Sequence, residues 1–138
     1  MRKSGFTMVE LVFVIVVLGI LAAVAVPRFA ATRDDAHIAK GRSDVAAIRS
    51  GIITERQGRL FRGDNTFITS ANMDAGGLFG GVMSYPIKAG TGNGKWAVTT
   101  AGTTYTYTVE GVANTFTYTP ATGTFMCTAG AKCAVLTD

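Results

Sequence analysis

Glu10 is a single carboxylate in an apolar run, Phe6 to Val26, that holds no other charge. An ionised acid in a low-dielectric setting needs a counter-charge, and an acid within a membrane-spanning segment is by default a functional residue. No Lys, Arg or His lies between Phe6 and Val26. Its ionic partner must therefore come from another chain or from a terminal amine. Cys127 and Cys133 form a C-x5-C pair, which is neither the C-x2-C of redox centres nor half of a four-ligand zinc site. Behind a membrane segment that spacing reads as a small disulfide loop outside the cytoplasm.

Other motifs carry less. His37 is the only histidine and stands beside Asp34 and Asp35, which suits a surface position rather than catalysis. Arg62-Gly63-Asp64 matches an integrin-type tripeptide by three common residues in a loop. Gly90 to Lys95 has the glycine content of a phosphate loop. It fails because Ala89 replaces the first Gly, Trp96 replaces the Ser or Thr, and a strand follows. There is no paired-carboxylate geometry, no nucleophile with its base and no metal-ligand spacing, so neither an enzyme nor a cofactor is expected. The net charge of +4 gathers between Arg28 and Arg62 and is too diffuse for a nucleic-acid footprint.

The element that must position Glu10 is the run itself. All of its residues except Thr7, Glu10 and Gly19 are apolar. As a helix it would reach about 31 Å, close to the hydrocarbon thickness of a bilayer. Its Leu, Ile, Val and Phe outweigh one acid at about 3 kcal/mol or less, so it should insert. Arg2 and Lys3 place the N-terminus inside. Arg28, Arg33, Lys40 and Arg42 flank the other end and oppose that count, yet long domains translocate largely regardless of charge. Ala23-Val24-Ala25 also fits an ordinary signal-peptide cut, which would release a soluble binding protein beginning at Val26. Against it stand the length of the run and the presence of Glu10.

Gly5-Phe6-Thr7-Met8-Val9-Glu10, the apolar run and Pro27 together resemble the N-terminus of type IV pilins and pseudopilins. The resemblance is close over roughly residues 1 to 50 and elsewhere lies only in layout. It implies a prepilin leader of residues 1–5, cut between Gly5 and Phe6 by a membrane-embedded prepilin peptidase that then N-methylates Phe6. It implies that Glu10 meets the Phe6 amine of a neighbouring subunit, and that the stretch from Gly19 to Pro27 acts as a helix-breaking hinge. The implied partners are further copies in a helical filament, a membrane platform protein and a cytoplasmic assembly ATPase. The implied place is the bacterial inner membrane, then a periplasmic filament or a surface pilus. A pseudopilin of type II secretion or competence is the alternative. Major secretion pseudopilins usually carry an acidic calcium site in the C-terminal sheet, whereas Glu110 and Asp138 are the only acids after Lys95 here. The Cys127–Cys133 loop resembles the disulfide-bounded region of pilins.

Beyond the spanning segment 6–26, a head of residues 27–138 is expected. Ala31, Ile38, Val45 and Ile52 recur every seven residues, with Gly41 and Ile48 between them, which predicts an amphipathic helix over 27–57 ended by Gln57-Gly58. Pro27 should kink that helix where it leaves lipid. Residues 58–94 read as a Gly-rich loop anchored by Leu78, Phe79 and Tyr85. From Lys95 the period becomes two: Trp96 and Val98, then Tyr105, Tyr107 and Val109, then Phe116 and Tyr118, then Phe125 and Cys127. This predicts a four-stranded antiparallel meander over 95–128, Thr-rich on its solvent face, and a disulfide-closed tail over 127–138. The fold class is α+β: one long helix, half membrane and half amphipathic, packed on that sheet.

Overall fold

The computed structural model describes residues 5–137, Ala30 by its backbone alone. Met1–Ser4, which make up most of the expected leader and include Arg2 and Lys3, lie outside the described residues, as does Asp138. The chain divides into two units, one ending at Arg33 and one beginning at Asp34. Helix α1 (Met8–Phe61) contributes to both and continues as helix through Gly19 and Pro27. It is followed by α2 (Ser70–Met73), strands β1 (Lys95–Thr100), β2 (Thr104–Val109), β3 (Val112–Thr119) and β4 (Thr124–Ala129), and α3 (Cys133–Thr137). The strands form one antiparallel sheet in the order β1-β2-β3-β4, so the expected α+β arrangement is present.

In the second unit the helix stripe and the sheet bury each other. Val45, Ile48 and Ile52 of α1 meet Trp96, Tyr105, Tyr107, Val109, Phe116, Tyr118 and Phe125 of the strands. Alternation explains the sheet: Tyr105, Tyr107 and Val109 point inward while Thr104, Thr106 and Thr108 face outward. The aromatic rings interlock, with Phe79 centred 4.3 Å from Tyr105 and 5.5 Å from Trp96. Polar tips inside the core find partners. The Trp96 indole N–H donates to Asp44 at 2.9 Å, the Tyr118 hydroxyl donates to the Ile68 carbonyl at 2.8 Å, and the Tyr107 hydroxyl donates to the His37 carbonyl at 2.6 Å. Close approach is made by glycine: a Cβ on Gly51 would lie 2.1 Å from the Val82 carbonyl oxygen.

Four expectations need correction. The helix does not end at Gln57-Gly58 but runs on to Phe61. Arg59, one turn after Glu55, pairs with it at 3.2 Å and holds Gly58 in helix. The stop is Gly63, whose φ of +83° permits a Schellman closure: Gly63 N–H donates to Leu60 and Asp64 N–H to Arg59. Tyr85 is not an anchor but 86% exposed, because Ile87 turns inward instead and its N–H donates to the Leu78 carbonyl. Val98 is exposed beside a register shift in β1, beyond the edge of the core. His37 is half-buried rather than on the surface, its ring lying against Gly94, where a Cβ would meet it.

The loop also contains two core residues that periodicity did not reveal, Ile68 and Met73. Asp74 organises that region. Its carboxylate accepts hydrogen bonds from the Phe79 and Gly102 N–H groups and from the Tyr105 hydroxyl. The first of these steadies Phe79 in left-handed backbone, φ 60°, a costly conformation for a bulky residue.

Candidate assembly site on the N-terminal helix

Thr7 and Glu10 stand at the start of α1 in the S/T-x-x-E spacing of a capping box. The Thr7 Oγ1 accepts the Glu10 N–H at 3.2 Å, and Glu10 Oε2 accepts the Thr7 N–H at 2.8 Å and the Thr7 hydroxyl at 2.9 Å. Two of the N–H groups that a helix start leaves unpaired are thereby satisfied. The carboxylate therefore has donors in its own chain, which a search for counter-charges alone overlooks. The T-x-x-E spacing was the signal that could have found them. Those donors are neutral, so the negative charge of Glu10 remains uncompensated within the described residues of this unit.

Around Glu10 everything apolar is uncovered. Phe6 is 85% exposed, and large side chains from Met8 to Phe29 lie open along the helix. An 18-residue window within α1 reaches a mean hydropathy of 3.0 with none of it buried, long and apolar enough to cross a membrane. Met8, Val9, Val12, Phe13 and Val16 line an apolar groove of about 450 Å³ on one face of the same helix turns. Gly5 precedes Phe6 in exposed chain ahead of the helix, with nothing within 4 Å of where its Cβ would be.

The cysteines lie in the other unit. Cys127 and Cys133 are bonded, S–S 2.03 Å, and tie β4 to the start of α3. Asn114, a buried polar side chain, supports the same tail. Its amide donates to the Tyr107 and Val112 carbonyls, and its oxygen accepts the Lys132 N–H. Lys132 also pairs with Glu110 at 2.6 Å, and Leu136 is tucked into the core.

Residues 1–26 match the family model described as the prokaryotic N-terminal methylation motif. The chain carries that motif. It spans Gly5, Phe6, Glu10 and Gly19. Among curated relatives, the chain is 52% identical over 50 residues to the type IV narrow pilus major component PilA5 of Thermus thermophilus. That match covers 36% of this chain and 43% of the relative. It is 39% identical over 51 residues to the type II secretion system core protein G of Pseudomonas aeruginosa, covering 37% of this chain and 36% of the relative. A longer match, 29% identical over 101 residues, is to the type IV major fimbrial protein FimA of Dichelobacter nodosus, covering 63% of this chain and 65% of that protein. The chain thus spans well under half the length of the first two relatives. No solved structure matches it significantly.

Proposed function

We propose that the chain is a structural subunit of a type IV pilus-like filament. It is cut between Gly5 and Phe6 by a prepilin peptidase, which N-methylates Phe6, and it is held in the bacterial inner membrane by residues 6–26 with its N-terminus cytoplasmic. It then joins further copies through this helix, driven by a membrane platform protein and a cytoplasmic ATPase. The observation that carries the proposal is the uncovered apolar helix with one capped but charge-uncompensated carboxylate at its start. Lipid covers such a surface in the free subunit, and sister helices cover it after extraction. The Phe6 ammonium exposed by cleavage supplies the counter-charge that Glu10 lacks, four residues along another copy. Gly19 and Pro27 are the positions where the helix gives way on packing, since one weakens it and the other removes a hydrogen bond.

A pseudopilus subunit of a secretion or competence system is the second reading, favoured by the similarity to core protein G. The filament of a surface pilus is preferred because the FimA match extends into the head and because acids are scarce in the sheet. Glu10→Ala should leave membrane insertion and cleavage at Phe6 intact and abolish recovery of the chain in sheared surface fibres. Normal fibres from that variant would overturn the role of Glu10. A mature N-terminus at Val26 would overturn the whole proposal.

A further inference from the structure

Charges in the second unit are mostly matched within it. Lys40 pairs with Asp44, Arg59 with Glu55 and Asp64, Arg62 with Glu55, and Lys132 with Glu110. Arg42 and Arg49 donate to the Val135 and Phe125 carbonyls. Arg56 is different. Among the described residues it has no carboxylate or carbonyl partner, and its Nε is shielded from solvent with no acceptor. Its guanidinium lies 4.2 Å from the centre of the Phe67 ring, and that stacking holds the side chain in one place. It lines an open groove of about 470 Å³ together with Asn65, Thr66, Phe67, Thr69 and Pro120. A pre-positioned, unpaired guanidinium beside amide and hydroxyl groups suits a carboxylate, which it can engage through several N–H donors at once.

The complementary groups are on the same helix. Asp34 and Asp35 are the acids of this unit that make no hydrogen bond or ion pair among the described residues. They precede Arg56 by 22 and 21 residues, a separation of about 32 Å along α1. Within one copy that distance forbids contact. We infer that the Arg56–Phe67 groove of one copy receives the Asp34–Asp35 carboxylates of a second copy, lying parallel and displaced by about 32 Å along the helix. This rests on the filament proposed above, in which all copies point the same way. Exposed Lys88 and Lys95 carry charge as well, but neither is held by an aromatic ring, so each would lose more side-chain freedom on pairing.

The test reverses the charges in the full-length chain expressed in its own cell. Arg56→Glu alone, or Asp34→Arg with Asp35→Arg, should cut the amount recovered in sheared filaments at least tenfold. Combining all three should restore it to within about twofold of the unaltered chain. Asp34→Cys together with Asp35→Ser in one copy and Arg56→Cys in another should also give a disulfide-linked dimer band when both are co-expressed. If both reversed forms assemble normally while Glu10→Ala does not, the groove pairing is overturned and the filament proposal stands. Failure of the triple variant to recover, with a head that melts as the unaltered one does, also overturns the pairing. If the unaltered chain enters no assembled fraction, both fall.

Discussion

The two units of this chain share one helix and solve opposite problems with it. In the unit ending at Arg33, apolar side chains point in every direction and nothing covers them. In the unit beginning at Asp34, one stripe of the helix, Val45, Ile48 and Ile52, is buried by the sheet and the loop, and only Ile53, Leu60 and Phe61 among its large apolar side chains stay open. A helix apolar all round must find its partners in lipid or in other chains, whereas a one-sided helix completes itself. The comparison teaches that stability and assembly are held in different stretches of the molecule and should be separable by mutation.

Three perturbations of the second unit sharpen that division beyond the Glu10 test. The largest effect is expected from Gly51→Ala, because the new methyl would collide with backbone at Val82 rather than with a side chain that can turn aside. Overpacking of this kind costs about 2–3 kcal/mol. Thermal melting of the detergent-solubilised protein should drop by several degrees, with membrane insertion unchanged. An unaltered melting temperature would show that the loop shifts freely. Removing both cysteines by substitution with Ser should cost on the order of 2 kcal/mol for so short a loop. Denaturant titration measures it, and the membrane-extracted fraction should again be unaffected.

The smallest effect is alkaline sensitivity. Burial, followed by the Asp74 charge, raises the Tyr105 pKa far above its ordinary value, and burial with Asp44 pushes Tyr107 up to about 12. Burial raises Tyr118 also. The folded state therefore keeps phenol protons that the unfolded chain releases near pH 10. Their stabilisation is complete below that pH and fades as pH climbs toward 12 and beyond. Melting temperatures measured from pH 9 to pH 12 should fall for the unaltered chain and fall less for Tyr107→Phe. Equal slopes would remove Tyr107 from the account.

Legibility in the sequence followed the same divide. The spanning run was visible because composition alone decides it, and the meander because Trp96 to Cys127 alternates with period two. The heptad at Ile38, Val45 and Ile52 located the covered stripe. What escaped were features set by tertiary contact: α2 and α3 are too short to show a period, and Ile68 and Met73 reach the core from a segment with loop composition. The end of α1 was misplaced because Gly58 looked like a stop, although Gly63 holds the left-handed turn that closes the helix. The Thr7–Glu10 box was legible but masked by the demand for an ionic partner. Arg56 showed nothing in the sequence to set it apart from its basic neighbours, since its isolation depends on Phe67.

Asn114 has a bearing on what the disulfide contributes to the C-terminal tail. By gripping the Lys132 amide and two strand carbonyls, it brings the tail alongside β4 without help from sulfur chemistry. The same hydrogen bonds hold the chain segments that carry Cys127 and Cys133 side by side. The disulfide then fastens a conformation that hydrogen bonds already favour instead of having to impose one.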